Sequence, residues 1–102
     1  MIFLTALRAA NVDWERITLF WADERAVPPE DPESNYGLAQ RMLLAPLGAK
    51  APRAIRMPAE KNLAQAALWY DDALATELNG GPLDLALLGV GSMLLATRRR
   101  AR

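Results

Sequence analysis

Six uncharged residues, Ile17-Thr18-Leu19-Phe20-Trp21-Ala22, run directly into three consecutive charges, Asp23-Glu24-Arg25. A run of that length, rich in β-branched and aromatic residues, reads as a strand. It is apolar on both alternating faces, so both faces must be covered. That is the habit of a parallel sheet flanked by helices, whereas a sheet with one wet face would alternate apolar and polar. The chain is thereby directed to the α/β class. The same strand delivers three charges at its carboxyl end, the edge along which open α/β sheets bind ligands. Pro28, Pro29 and Pro32 then keep the following loop out of regular structure.

The rest of the chain fits helices around such a strand. Residues 2–10 sort apolar from polar positions at helical spacing, and Asn11 and Asp13 break that helix. Ser34 or Asn35 is a good N-cap for a helix carrying Tyr36, Ala39, Met42 and Leu43, which Pro46 and Gly48 end. Residues 49–60 are loop-like, with a small strand expected at Ala54-Ile55-Arg56-Met57. Asn62 followed by Gln65 resembles a capping box and opens the longest helix, 63–79, with Gly80 and Gly81 as its stop. A second strand, Leu83–Leu88, runs into Gly89-Val90-Gly91. Strand, helix, helix, strand is the outline of a crossover joining parallel strands. The aromatic pairs Phe20/Trp21 and Trp69/Tyr70 are expected in the core.

Composition narrows the chemistry. The 102 residues suit one small domain, able to bury about two-thirds of its unfolded surface. Lys plus Arg and Asp plus Glu each number 12, which argues against nucleic acid as a partner. Arg98, Arg99, Arg100 and Arg102 crowd the end; a nucleic-acid patch and a frayed, solvated tail both explain them, and the tail is the plainer account. There is no Cys and no His, so thiolate nucleophiles, disulfides and imidazole acid–base catalysis are excluded within this chain. The apolar run Met1–Leu7 is too short to span a membrane and lacks the features of a leader, so a cytoplasmic location is expected.

Two junctions are candidates for function. At Asp23-Glu24-Arg25 a carboxylate is available to move a proton, and Arg25 to grip a phosphate or carboxylate with two parallel hydrogen bonds. A surface ion pair ending a strand explains the same charges. At Gly89-Val90-Gly91 the glycines let backbone N–H groups approach an anion. The third glycine of a dinucleotide fingerprint is missing, so a plain strand-to-turn transition explains these equally well. Ser34-Asn35-Tyr36 offers hydroxyl and amide groups, which helix capping also accounts for in the first two.

Taken in order, Asp13-Trp14, the block from Phe20 to Pro28, the block from Asp31 to Tyr36, Trp69-Tyr70 and the stretch from Leu83 to Gly91 resemble the 6-phosphogluconolactonases of the wider sugar-phosphate isomerase and deaminase superfamily. The DER-x-VP and DP-x-SNY blocks carry most of the likeness. Glucosamine-6-phosphate deaminases usually have Asp-Glu-Tyr where this chain has Asp-Glu-Arg, which favours the lactonase branch. The resemblance implies hydrolysis of 6-phospho-D-glucono-1,5-lactone to 6-phosphogluconate in the pentose phosphate pathway, with no metal or organic cofactor. It implies a phosphorylated sugar lactone as the partner and leaves oligomeric state unknown. Arg25, Asn35, Gly89 and Gly91 are the implied substrate contacts. Asp23 matches a carboxylate of proton transfer in the deaminase branch.

The resemblance fails in two places. After its Gly-x-Gly the family continues with an Asp-Gly-His type segment whose His activates water; this chain reads Ser92-Met93-Leu94-Leu95-Ala96-Thr97 and then arginines. The family's upstream Ser/Gly/Thr-rich phosphate loop is also missing. We therefore expect residues 1–91 to be part of a larger Rossmann-like three-layer α/β domain of about twice this length, a partial parallel sheet with flanking helices. Residues 92–102 are expected as a separate Arg-rich tail, the mark of a reading-frame change. Little or no turnover is expected from this chain alone. The rival readings are an amino-sugar-phosphate deaminase and a non-catalytic module that binds sugar phosphate.

Overall fold

The computed structural model describes the backbone of residues 8–89 and 92–98 and the side chains of 8–86. Of the helix expected over 2–10, residues 8 and 9 are helical and 1–7 lie outside the described residues. A single 3-10 turn at Trp14–Arg16 leads into β1, Ile17–Trp21. Ser34 then caps α1, a continuous helix of an α stretch at Asn35–Ala39, a π stretch at Gln40–Leu44 and a last turn at Ala45–Leu47. The π stretch ends on an N–H from Ala45 to the carbonyl of Gln40. It lies just ahead of Pro46, which has no N–H to continue an ordinary α ladder. β2 is short, Arg53–Ile55, and α2 runs Leu63–Leu78. β3, Leu85–Gly89, and β4, Ser92–Arg98, complete the described elements.

The four strands form one sheet in the order β2-β1-β4-β3. β1 and β2 are parallel, with Thr18, Leu19 and Phe20 opposite Arg53, Ala54 and Ile55. This is a helical crossover of the kind expected, but it closes on the short strand β2 and not on β3. β3 runs in the same direction as β1, with β4 between them and antiparallel to both. Residues 92–98, read from the sequence as the start of a separate tail, thus form the central strand of the sheet's far half. Arg98, placed by composition in a frayed end, pairs with Ile17; residues 99–102 lie outside the described residues.

β1 is covered on both faces, as its lack of charge required. Leu19 and Trp21 pack with Trp14, Ala39, Leu43 and Leu44 under α1. Phe20 faces the other way and meets Tyr70 of α2 edge-on, with ring centroids 5.8 Å apart. Phe20, Trp21 and Leu43 are fully buried, each worth about 1.5–3 kcal/mol relative to exposure. α2 opens as expected on Asn62, whose side chain accepts from the N–H of Gln65 at 3.0 Å. It closes one residue before the expected glycines, on Asn79 in the left-handed region (φ 49°), a conformation that asparagine tolerates.

One expected core residue is outside. Trp69 is 53% exposed while Tyr70 is 6% exposed. The inward stripe of α2 is set by Ala66 and Tyr70, four apart. Trp69 sits about 100° round the helix from Tyr70 and falls beyond the sheet. Among the described residues no helix is long and apolar enough to cross a membrane.

Candidate functional site

The carboxyl end of β1 is held to the start of α1 by Glu24. One carboxylate oxygen accepts from the N–H groups of Arg25, at 2.8 Å, and Asn35, at 2.7 Å. The other accepts from the N–H of Tyr36, at 2.9 Å, and from the hydroxyl of Ser34, at 3.1 Å. The first N–H groups of a helix have no partner inside it, and the helix dipole is positive there. A carboxylate is the side chain that satisfies both conditions. Ser34 completes the knot by accepting from the N–H of Gly37 at 3.0 Å, the N-cap bond its sequence position called for.

The neighbours of Glu24 divide between support and display. Asn35 is buried, and its amide donates to the carbonyl of Asp23 at 3.1 Å. The carboxylate of Asp23 is at an exposed position and has no hydrogen-bond or ion-pair partner among the described residues. Arg25 is half-exposed, and its guanidinium lies 2.9 Å from the carboxylate of Glu33. Tyr36 packs on Trp21 at 5.2 Å between ring centroids. Of the Ser-Asn-Tyr run, then, all three residues brace the Asp-Glu-Arg turn.

A second brace comes from α2. The hydroxyl of Tyr70 accepts from the N–H of Trp21 at 2.6 Å and donates to the carbonyl of Ile55 at 2.7 Å. It relays the β1–β2 ladder one step past the Phe20–Ile55 pair, at the residue before the turn begins. Burial pushes this phenol well above the usual tyrosine range, the N–H of Trp21 pulling the other way and the Glu24 charge adding a small further rise. The hydroxyl therefore keeps the proton it donates. Beside it opens a hollow of about 480 Å³, with Trp21, Glu24, Met57, Leu63, Tyr70 and Asp71 among its lining residues. That is the size of a small-ligand cleft, and it does not include Asp23 or Arg25.

The first junction and Gly89, the described residue of the second, lie along one edge. Trp21 of β1 and Leu87 of β3 pair with the same residue, Leu94, so the carboxyl ends of β1 and β3 point the same way about 10 Å apart, two strand spacings. Gly89 ends β3 opposite Ser92; Gly91 lies outside the described residues. Among the described residues no cluster of three or more acidic side chains is placed to hold a metal ion. Sequence reasoning missed the roles of Glu24, Glu33 and Tyr70. Each acts across 8 to 15 residues or more, and no local pattern announces such a contact.

This edge, with its turn clamped onto a helix N-terminus, puts the chain among the α/β proteins that present polar groups at the carboxyl ends of their strands. Within that class the chain belongs to the glucosamine-6-phosphate isomerase/6-phosphogluconolactonase family, whose model matches residues 2–92. It is 43% identical over 89 residues to a 6-phosphogluconolactonase of Pseudomonas putida, covering 87% of this chain and 36% of that protein. It is 35% identical over 86 residues to one of Treponema pallidum, covering 80% and 36%. A third, of Mycobacterium leprae, is 36% identical over 95 residues, covering 84% and 38%. The chain spans little more than a third of the length of these curated relatives, where the resemblance suggested half. No solved structure matches it.

Proposed function

We propose that this chain carries the substrate-side edge of a 6-phosphogluconolactonase, the cytoplasmic hydrolase that opens 6-phospho-D-glucono-1,5-lactone to 6-phosphogluconate. The observation that carries the reading is the Glu24 clamp. It joins the two halves of the DER-x-VP and SNY block through three hydrogen bonds, with a fourth inside the turn, and leaves Asp23 and Arg25 at exposed positions. Arg25 supplies a planar pair of donors for the anionic or carbonyl oxygens of the substrate. Gly89 ends β3, two strands away, and with Gly91, outside the described residues, completes the glycine pair the family resemblance implies; Asn35 acts through Asp23 by fixing its carbonyl. Arg25 in the third place of the turn favours the lactone over the amino-sugar branch.

Hydrolysis also needs a base to take the proton of the attacking water and a site for the charge that develops on the lactone oxygen. Asp23 is the exposed carboxylate in the turn that ends β1. An ordinary carboxylate is a weak base near neutral pH, and the chain has no imidazole. The reading is therefore binding with little turnover.

Calorimetric titration with 6-phosphogluconate, beside a lactone hydrolysis assay, tests it. Saturable binding lost in Arg25→Ala, with hydrolysis near the spontaneous rate, is the expected result. Equal binding in Arg25→Ala overturns the assignment, and ammonia release from glucosamine 6-phosphate moves the chain to the other branch.

A further inference from the structure

We infer that Glu33 sets the anion affinity of Arg25: its carboxylate occupies the Arg25 guanidinium in the unliganded protein, so that an incoming anion must displace it. The inference rests on the reading of Arg25 as the substrate-side cation. The contact is a 2.9 Å ion pair between side chains 44% and 69% exposed. Exposed pairs of that kind are usually weak, because two long side chains must be ordered to make them. Here both backbones are already fixed. The N–H of Arg25 is tied to Glu24. The N–H of Glu33 is tied to the side chain of Asp31 at 2.8 Å, and Ser34, next in the chain, is bound to Glu24. What remains to be ordered is the two side chains alone.

The surrounding charge sharpens the effect. Between residues 23 and 33 the chain carries five carboxylates and one guanidinium. A simple anion approaching Arg25 meets repulsion from that set and a competitor already in place. A ligand gains the site only if it brings further contacts beyond its charge, such as the hydroxyls of a sugar. Glu33 thus weakens every anion at Arg25 by a similar factor, so that a simple anion is left with little binding while a polyhydroxylated one keeps what its other contacts supply.

The test is titration of the full chain with 6-phosphogluconate and, separately, with inorganic phosphate at low ionic strength. The variants are Glu33→Gln, Glu30→Gln and Arg25→Ala. Glu30 is exposed on the same loop and carries the same charge, while the ion-pair partner of Arg25 is Glu33. Glu33→Gln is expected to tighten phosphate binding about two- to five-fold, the range of an exposed pair. It should tighten 6-phosphogluconate by a similar factor, and Glu30→Gln should have a smaller effect than Glu33→Gln on both. Equal gains in the two glutamine variants, or no gain in Glu33→Gln, overturn the inference. If phosphate binding tightens in Glu33→Gln and is lost in Arg25→Ala while 6-phosphogluconate does not bind, the competition stands and the sugar-phosphate reading falls. If 6-phosphogluconate binds through Arg25 and Glu33→Gln changes nothing, the reverse holds.

Discussion

Replacing Glu24 by glutamine removes one charge and one acceptor without changing shape, and its cost can be worked bond by bond. The carboxylate receives four donors. A glutamine offers one oxygen, which accepts two, and an NH2 that accepts none. The best arrangement turns its oxygen toward the N–H groups of Arg25 and Asn35 and donates its NH2 to the Ser34 hydroxyl. The N–H of Tyr36 then has no partner. An unpaired donor costs about 1–3 kcal/mol, and each of the two surviving bonds falls from the charged to the neutral class, roughly 1 kcal/mol apiece. Loss of the anion at the helix terminus adds about 0.3–1 kcal/mol. The bare sum is about 3–6 kcal/mol; water reaches this half-buried site and repairs part of each loss, which brings the expected cost down to about 2–3 kcal/mol.

Amide hydrogen exchange read by mass spectrometry over residues 34–37 measures this locally, without requiring the whole chain to unfold in one step. A loss of 2–3 kcal/mol corresponds to exchange about 30- to 150-fold faster. Far-UV circular dichroism confirms that the variant stays folded. Glu30→Gln, which removes the same charge from an exposed position of the following loop, should leave the rate within about two-fold, as surface changes do. If Glu24→Gln exchanges as slowly as the parent, the clamp contributes nothing and the division of roles at the turn is wrong.

Tyr70→Phe leaves the N–H of Trp21 and the carbonyl of Ile55 unpaired while keeping the ring on Phe20, and should cost about 1–3 kcal/mol by denaturant titration; a change under about 0.5 kcal/mol would sink the relay. Because folding raises this phenol's pKa, the folded state holds its proton longer than the unfolded one. Its contribution is complete below the ordinary tyrosine pKa near 10 and is lost as pH rises above it, so Tyr70→Phe should lose stability less steeply above about pH 10. Gly37→Ala sets helix propensity, a gain of about 1 kcal/mol, against a new Cβ 2.4 Å from the carbonyl oxygen of Pro29. The clash should win, with net destabilisation of about 1–2 kcal/mol in the same titration, and a stabilised variant would show that the loop yields freely. Trp69→Ala should cost under about 1 kcal/mol and Trp21→Ala about 3–5 kcal/mol; similar losses at both positions would return Trp69 to the core.

β1 was legible because an uncharged strand has one stable environment, between two covering layers, and its burial follows. α1 and α2 were legible at their starts, where Ser34 and Asn62 make the cap bonds their positions demand. The phase of α2 was not. Apolar residues occupy 63, 64, 66–70, 73–75 and 78, most of the way round the helix, so the sequence admits several inward stripes and only packing against the sheet selects Ala66 and Tyr70. β2 was indistinct because three residues carry little periodicity. β4 escaped because its partners, β1 and β3, are remote or arrive in reverse, and its arginine flank reads as solvated chain.

The Asp-Glu-Arg turn shows why composition alone could not assign roles to three adjacent charges. Along the turn the burial runs exposed, half-buried, exposed, and the alternation of β1 has ended: Leu19 and Trp21 face α1, yet it is Glu24, of the other parity, that reaches the start of α1. Whichever residue faces the helix terminus is committed to it, because the donors there must be satisfied. The residues on either side are displayed away from the helix for the same reason. The opposite assignment would put Arg25 against the helix and Glu24 outside. An arginine facing unpaired N–H groups at a positive helix end is a strongly unfavourable placement. The helix terminus therefore takes an acid and rejects the base, and the irregular chain after Trp21 brings Glu24 to it, which leaves Asp23 and Arg25 at exposed positions.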